Sequence, residues 1–161
     1  MYYCYFDTPI GELLLAGDSA ALSMIGFPKG SMRRDPEASW IYSEKPFEEV
    51  RRQLSEYFDG QRKTFDVALD LSGTEFQVQV LQALQEIPYG ETTSYGAIAK
   101  RIGRPRAVRA VGAANGRNPV PIIVPCHRVI GSSGDLTGFG GGLDTKAALL
   151  RLEAENSGAL L

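Results

Sequence analysis

Cys126 and His127 stand side by side in the segment Pro125-Cys126-His127-Arg128-Val129, and His127 is the only histidine of the chain. A cysteine attacks as its thiolate, and because a free thiol has a pKa of about 8.5 it needs a base, most often an imidazole. Neighbouring side chains point in different directions in helices and strands, so this pair requires a sharp turn or a bridging water. A buried cysteine beside a structural histidine is the alternative.

The residues before Cys126 predict a rigid support. Three prolines, at positions 119, 121 and 125, exclude a regular helix and stiffen an extended path. Residues 122–124 and 129–130 are apolar, which predicts that they are buried. We therefore expect Cys126 on a rigid, partly buried segment, as a positioned nucleophile requires.

Length and composition restrict the class of protein. The 161 residues suit one domain or two small, closely packed ones, and 43% hydrophobic content is ordinary for a globular core. No apolar run approaches about 18 residues, and no basic start precedes an apolar stretch, so we expect no membrane span and no secretion signal. Two cysteines make no disulfide framework, which favours a reducing cytoplasm, with nucleoid association in a prokaryote. Only Cys4, Cys126 and His127 are available for a zinc site, so we expect no metal and no cofactor.

Charge is distributed unevenly along the chain. Residues 91–128 contain seven bases and one acid, a balance of +6, whereas the remaining residues have a balance of −8. This pattern favours a basic binding face on an acidic body. A basic surface without a partner is the alternative.

The N-terminal half predicts a sheet with one helix. Aromatic and apolar runs predict strands at 2–6, 11–16, 20–27 and 64–71, and an apolar stripe predicts a helix at 46–58. Residues 28–44 are expected to form a loop in which Trp40 is a packing anchor. Cys4 lies in the first strand and is expected to be a core residue.

The C-terminal half predicts helices at 73–87, 93–103, 106–114 and 144–155. Gly103 permits the tight turn between the second and third of these, which gives the layout of a helix-turn-helix. A structural helix pair shares this layout, so the pattern alone leaves DNA binding open.

The helix predicted at 106–114 has a small-residue surface. Its buried stripe is predicted to consist of Ala107, Ala110, Val111 and Ala114. Arg106 and Arg109 share the outward face, where small residues allow a close approach to a groove. The alternative for Arg109 is a solvated surface charge.

Two further segments complete a recognisable pattern. The cysteine motif resembles that of the O6-alkylguanine-DNA alkyltransferases. The resemblance includes the segment before the motif, Asn118-Pro119-Val120-Pro121-Ile122, and the segment after it, Gly138-Phe139-Gly140-Gly141-Gly142-Leu143. The resemblance covers residues 74–155 and reaches the N-terminal half through Thr8-Pro9-Ile10-Gly11 and residues 13–15. It implies an α/β (α+β) fold. A ribonuclease-H-like sheet-plus-helix domain (1–71) would pack on a mainly helical domain (72–161) with a winged-helix-like helix-turn-helix.

The resemblance implies that the protein moves an alkyl group from the O6 atom of guanine onto Cys126. His127 would remove the thiol proton through a water, and Glu153 would orient His127. Glu153 also falls beside Leu149 and Leu150 on the apolar side of its helix, where a buried carboxylate needs a partner. A surface charge at the edge of the helix is the alternative. The product is a thioether that water does not cleave, so each molecule would act once.

The resemblance also implies a DNA-binding set. Arg109 would enter the base stack in place of a flipped nucleotide, and Tyr95 would help to rotate that nucleotide and donate to the guanine. Arg106, Ala110 and Ala113 would contact DNA beside them. The implied partner is double-stranded DNA that contains O6-alkylguanine, bound in the minor groove by a monomer. Tyr95 as a mere core residue is the alternative.

The remaining implied residues belong to the substrate pocket. Asn118 would tie the recognition helix to the active-site segment, with a plain turn residue as the alternative. Pro121 and Phe139 would line the pocket, the Val129 carbonyl would accept from the guanine amino group, and the Gly140 amide would face O6.

Two other functions are compatible with parts of the pattern. A non-catalytic alkyltransferase-like protein would bind lesions without chemistry, but such proteins lack the cysteine that this chain keeps at position 126. A cysteine hydrolase normally takes its cysteine and histidine from distant positions, and it would not explain the uneven charge or the helix-turn-helix.

Overall fold

The computed structural model describes residues 1–134, 136 and 139–157. Its N-terminal part contains a four-stranded sheet in the order β3-β2-β1-β4. The strands are β1 (Tyr2–Thr8), β2 (Gly11–Gly17), β3 (Leu22–Gly26) and β4 (Ile41–Tyr42). β1 to β3 are antiparallel, whereas β4 pairs in parallel with β1 at the edge. The predicted strands 2–6, 11–16 and 20–27 are confirmed.

Helix α1 (Glu48–Phe58) packs beside this sheet because its apolar residues share one face. A 3-10 turn at Lys45–Phe47 leads into it, so the helix predicted from residue 46 is confirmed. Val50, Leu54 and Tyr57 are spaced at i, i+4 and i+7, and all three are buried. Tyr57 is fully buried although it carries a hydroxyl group.

The strand predicted at 64–71 is wrong. Burial alternates along this extended segment, but Leu69 makes only a single bridge to Leu22. The buried Gln53 side chain takes both backbone groups of Asp66, donating to its carbonyl at 2.9 Å and accepting from its amide at 2.8 Å. Because a side chain satisfies these groups, no continuous strand ladder forms here.

The loop predicted at 28–44 differs from expectation in two respects. Ile41 and Tyr42 form the edge strand β4, which was not predicted. Trp40 is only half-buried, and the buried anchor of this segment is Met32. Met32 also exchanges backbone hydrogen bonds with Phe27 and Gly140.

The C-terminal part is mainly helical, as predicted. It contains α2 (Glu75–Leu84), β5 (Thr93–Ser94), α3 (Tyr95–Arg101), α4 (Val108–Gly116), β6 (Val129–Ile130) and α5 (Leu143–Asn156). Thr74 and Gln77 form a capping box at the start of α2, and Ser94 caps α3 by accepting from the Ala97 amide. The predicted helices 73–87, 93–103 and 144–155 are confirmed with their ends shifted by a few residues.

The sheet part and the helical part share one core. A continuous cluster of buried side chains extends from Cys4 in β1 to Leu149 in α5. Cys4 is a fully buried core residue, as predicted. Within residues 1–134, 136 and 139–157, no helix is long and apolar enough to cross a membrane.

Candidate active site

Cys126 begins a 3-10 turn that runs from Cys126 to Arg128 and leads directly into β6. Pro125 precedes the turn with φ −81° and ψ 66°, outside the helical region, so the chain bends sharply at the cysteine. The side chains of Cys126 and His127 are both fully buried. The cysteine is thus more deeply buried than the partly buried setting predicted for it, and the sharp turn that the adjacent pair requires is present.

An amide side chain fixes the segment before this turn. Asn118 Nδ2 donates to the Val124 carbonyl at 2.8 Å, and Asn118 Oδ1 accepts from the Val120 amide at 3.0 Å. Ile122, between them, has φ +76°. A β-branched residue rarely adopts this left-handed conformation, so the backbone is strained and must be held by its surroundings.

A second amide side chain links α4 to the cysteine turn. The Asn118 side chain holds the segment before the turn and also hydrogen-bonds the Cys126 thiol. Asn115, in the last turn of α4, donates from Nδ2 to the Cys126 carbonyl at 3.4 Å. Asn115 therefore makes the side-chain connection from the helix to the cysteine, and the backbone of Asn118 donates to the Asn115 carbonyl behind it.

Glu153 is the centre of the site. His127 Nε2 lies 2.6 Å from Glu153 Oε2, so the structure brings together the histidine and the carboxylate that were singled out from the sequence. Arg128 donates to both oxygens of the same carboxylate, from Nε at 2.7 Å and from Nη2 at 3.0 Å. The Arg128 guanidinium also donates to the Ile87 carbonyl at 2.7 Å. This buried bidentate pair holds the carboxylate in one orientation, with Oε2 towards His127.

Two more donors complete the coordination of Glu153. The Tyr57 hydroxyl, in α1, donates to Oε2 at 2.6 Å, and the Gly90 amide donates to Oε1 at 3.2 Å. The carboxylate therefore accepts from α1, from the loop after α2 and from the cysteine turn. We refer to Tyr57, His127, Arg128 and Glu153 as the Glu153 cluster.

The Glu153 cluster fixes the protonation of His127. Burial would raise the pKa of Glu153, but hydrogen bonds from His127 and Arg128 outweigh it and hold that pKa far below its ordinary value. Burial lowers the pKa of His127, against the opposing effect of Glu153. A neutral imidazole facing an ionised carboxylate carries its proton on Nε2, so Nδ1 is the basic nitrogen. Nδ1 is buried and has no hydrogen-bond partner among the described residues.

The Cys126 thiol is held in its neutral form. Burial raises its pKa to about 11, and the Asn118 side chain and the Lys146 charge act in the opposite direction. Lys146 is fully buried in α5 and donates from Nζ to the Val129 carbonyl at 2.7 Å. At neutral pH the thiol therefore needs a base before it can attack.

The pocket residues named from the sequence fall in two segments, one that leads into and out of the cysteine turn and one that packs against the N-terminal part. Pro121 and Val129 are buried, and Phe139 is half-buried with its ring 5.6 Å from that of Phe27. The Gly140 carbonyl accepts from the Met32 amide at 3.0 Å. Gly138, part of the same motif, lies outside the described residues.

The helix-turn-helix presents a small-residue surface. Arg109, Ala110 and Ala113 are exposed on α4, so Ala110 belongs to the outer face and its predicted place in the buried stripe is wrong. Arg106 is exposed but precedes the helix, which begins at Val108 rather than at residue 106. The backbone turns at Arg104–Arg106, after the Gly103 bend, and this delays the helix by two residues.

Tyr95 begins α3 and is half-buried against α4. A Cβ atom at Gly112 would lie 3.9 Å from the Tyr95 ring, so the two helices meet closely at this glycine. Six of the seven bases between residues 91 and 128 are exposed, and only Arg128 is buried. The basic face is therefore built by the two helices and their turns, while Arg128 belongs to the Glu153 cluster.

A short parallel ladder connects the two regions. Thr93 pairs with Val129 and Ser94 with Ile130, so the residues just before α3 are bonded to those just after the cysteine turn. Among residues 1–134, 136 and 139–157, no group of three or more His, Cys, Asp or Glu side chains could hold a metal ion.

Sequence reasoning did not identify Tyr57, Arg128, Lys146 or Asn115 as parts of the site. Arg128 carried a signal, because a base inside an apolar run that is predicted to be buried needs an acidic partner. Tyr57 carried none, since its stripe on α1 predicts only a core residue.

Comparison with known proteins gives a consistent result. The family model of the 6-O-methylguanine DNA methyltransferase DNA binding domain matches residues 75–155, and that of the ribonuclease-like domain matches residues 1–71. The methylated-DNA–protein-cysteine methyltransferase of Methanosarcina acetivorans is 57% identical over 153 residues, which cover 95% of this chain and 98% of the relative.

Two solved structures agree with the fold. A crystal structure of Mycobacterium tuberculosis OGT in complex with DNA has a TM-score of 0.92 at 50% identity, covering 97% of this chain and 94% of that one. The O6-methylguanine methyltransferase of the same organism has a TM-score of 0.90 at 50% identity, covering 98% and 95%. The ribonuclease-like sheet part and the helical DNA-binding part implied by the resemblance are thereby confirmed.

Proposed function

Because the chain belongs to the 6-O-methylguanine DNA methyltransferase family, we propose that Cys126 is the acceptor of an alkyl group taken from O6-alkylguanine in double-stranded DNA. The protein is a direct-reversal DNA repair methyltransferase whose acceptor is a protein cysteine, rather than a non-catalytic lesion-binding protein. The observation that carries the assignment to Cys126 is the buried turn that joins this thiol to a histidine paired with a carboxylate at 2.6 Å.

The proposed step uses His127 as a base. A water between Nδ1 and the thiol passes the thiol proton to the imidazole, and the imidazolium is stabilised by Glu153. The sulfur then bonds to the alkyl carbon as the bond between that carbon and O6 breaks. The electron pair stays with guanine, which gains a proton at N1, so the proton lost by the thiol balances the one that guanine takes up. The thioether product is stable, and each molecule acts once.

Recognition of DNA is assigned to the exposed face of α4. We propose that α3 and α4 enter the minor groove, because the Ala110 and Ala113 side chains allow close approach. Arg109 would fill the space of the flipped nucleotide, since O6 is not accessible to a thiol inside a stacked pair. Tyr95 would donate to the guanine and Arg106 would contact the backbone.

The pocket roles are part of the same proposal. Pro121 and Phe139 would line the pocket, and Asn118 would hold the strained segment beneath it. The Val129 carbonyl already accepts from Lys146 and has a second lone pair for the guanine amino group. The Gly140 amide would face O6. We further propose a cytoplasmic location, because both cysteines are free and buried, and a monomer, as the resemblance implies.

A label-transfer experiment tests the acceptor. Duplex DNA with one labelled O6-methylguanine should transfer one label per molecule, and peptide mapping should place it on Cys126. Cys4, buried in β1, is the internal control, and Cys126→Ala should abolish transfer while DNA binding persists. A label on Cys4, or binding of the lesion by the unchanged protein without transfer, would refute the proposal and favour lesion binding alone.

A second pair of assays tests the role of Arg109. Arg109→Ala should slow repair of duplex DNA by at least tenfold while leaving the reaction with free O6-benzylguanine unchanged. Arg106→Ala is the matched control, because it removes an equal charge from the same face and should weaken binding without this contrast. Equal losses of Arg109→Ala in both assays would exclude the flipping role.

A further inference from the structure

Tyr57 reaches the active site from the other half of the fold. It lies in the last turn of α1, and its hydroxyl is 2.6 Å from Glu153 Oε2, a residue 96 positions later in the chain. The ring is fully buried and packs against Phe58 and Phe65, with centroids 5.3 and 5.4 Å away. A buried side chain packed against two other rings has little freedom to turn the hydroxyl elsewhere.

The hydroxyl acts on the same oxygen as His127. Burial raises the pKa of Tyr57, and the negative charge of Glu153 raises it further, so the phenol keeps its proton and donates. Oε2 thus accepts from Tyr57 and from His127, both at 2.6 Å. Charge-assisted hydrogen bonds of this kind are about twice as strong as neutral ones.

We infer that Tyr57 is a positioning residue of the alkyl-transfer site, supplied by the N-terminal part, whose hydroxyl fixes the Glu153 oxygen that faces His127. The inference rests on the proposed function, since it assigns a task within the Cys126–His127–Glu153 group. Without the hydroxyl, Oε2 would keep only His127 and the Arg128 guanidinium as hydrogen-bond partners among the described residues. Tyr57 would thereby make the ribonuclease-like part a contributor to the chemistry and not only a support.

The hydroxyl also limits how basic His127 becomes. The titratable and charged groups facing His127 and Glu153 are Tyr57 from α1, Tyr89 before β5, Cys126 and Arg128 from the turn, and Lys146 from α5. Of these, Tyr57 alone donates to Oε2 without a charge of its own. Removing its hydroxyl leaves more negative charge on Oε2 for His127, so the pKa of His127 should rise.

The sign of the effect follows from the role of a base. His127 accepts a proton only while it is neutral, so the transfer rate falls as the pH drops through the pKa of His127. In Tyr57→Phe this fall should begin at higher pH. We expect a shift of roughly 0.5–1 pH unit, which is a three- to tenfold slower reaction on the acidic side.

The test is the pH profile of the transfer rate from free O6-benzylguanine, which avoids any effect on DNA binding. Tyr89→Phe is the matched control, because the Tyr89 hydroxyl lies near Glu153 but has no hydrogen-bond partner among the described residues. Tyr57→Phe should move the acidic limb of the profile, whereas Tyr89→Phe should not. If the unchanged protein removes no methyl group from O6-methylguanine in duplex DNA, the proposed function fails; if it reacts and Tyr57→Phe follows the same pH profile, only this inference fails.

A readout that needs no reaction is available because His127 is the only histidine. Its imidazole NMR signals should titrate at higher pH in Tyr57→Phe than in the unchanged protein or in Tyr89→Phe. A lower melting temperature without that change would mean a purely structural role and would overturn the inference. Should Tyr57→Phe not fold, the unchanged protein carries the test, because its Tyr57 hydroxyl proton should exchange slowly and show contact with the imidazole. Rapid exchange would overturn the inference.

Discussion

Replacement of Glu153 by glutamine should destabilise the protein strongly. The change removes the only charge that Arg128 pairs with among the described residues, while the guanidinium stays buried at 6% exposure. Breaking a buried ion pair from one side costs about 3–5 kcal/mol, because it leaves a charge uncompensated. The glutamine amide must also present its NH₂ group to at least one of the donors that now approach the carboxylate, which adds to the penalty.

The expected change in melting temperature follows from the size of the chain. Since 1 kcal/mol shifts the midpoint of a domain of about this size by roughly 2–4 °C, Glu153→Gln should melt about 6–20 °C lower. Calorimetry or circular dichroism measures the shift. Glu155→Gln is the matched control, because Glu155 is exposed on the same helix and its charge should contribute within about 0.5 kcal/mol. Equal melting temperatures for the two variants would refute the view that Glu153 compensates a buried charge.

The acid stability of the protein provides a second measurement of the same carboxylate. The pKa of folded Glu153 lies far below its ordinary value of 4.5, so the stabilisation is fully present above about pH 4.5. As the pH falls below that value towards the folded-state pKa, this stabilisation is lost at about 1.4 kcal/mol per pH unit. In Glu153→Gln the free energy of unfolding should lack this decrease with falling pH. An unchanged pH dependence would show that another carboxylate controls acid unfolding.

Three further substitutions test neighbouring features. Asn118→Ala should cost about 1–3 kcal/mol, because it leaves the buried Val120 amide unpaired, whereas the Val124 carbonyl keeps the Cys126 amide; denaturant unfolding measures the cost, and a value below about 1 kcal/mol would contradict the contact. Gly140→Ala should destabilise by about 1–3 kcal/mol, because the new Cβ would lie 2.3 Å from Met32 Cγ, whereas Gly116→Ala, with open space around it, should not destabilise. A thermal melt in which both glycine variants match the unchanged protein would exclude that close approach. Lys146→Met should slow single-turnover transfer about three- to tenfold, corresponding to a thiol pKa higher by roughly 0.5–1 unit, and the rate should recover as the pH rises. An unchanged rate would mean that the Lys146 charge does not act on Cys126.

The elements that the sequence predicted well are those with strong local signals. Thr74 with Gln77, and Ser94, mark helix starts by side-chain chemistry that operates within four residues. The segment 64–71 has the alternation of a strand, yet the Asp66 backbone groups are taken by the Gln53 side chain, a contact that local patterns do not reveal. Ile41 and Tyr42 form a strand only because β1 offers an edge.

The site residues divide in the same way, into those with a signal in the sequence and those without one. Cys126, His127 and Glu153 were identified because a motif and an apolar helix face pointed to them. The roles of Tyr57 and Arg128 depend on how α1 and the cysteine turn pack around one carboxylate, and no spacing along the chain encodes that distance. Asn115 was missed for the same reason, since its partner lies across a turn that three prolines shape.

The ladder between β5 and β6 couples the helix-turn-helix to the cysteine turn. Thr93 and Ser94 lead directly into Tyr95, and Val129 and Ile130 follow directly on the turn of Cys126. These main-chain hydrogen bonds therefore fix the separation between the backbone of Tyr95 and the backbone of the cysteine turn. A substitution that displaces α3 should therefore also displace the cysteine turn, even when it lies far from Cys126 in the sequence.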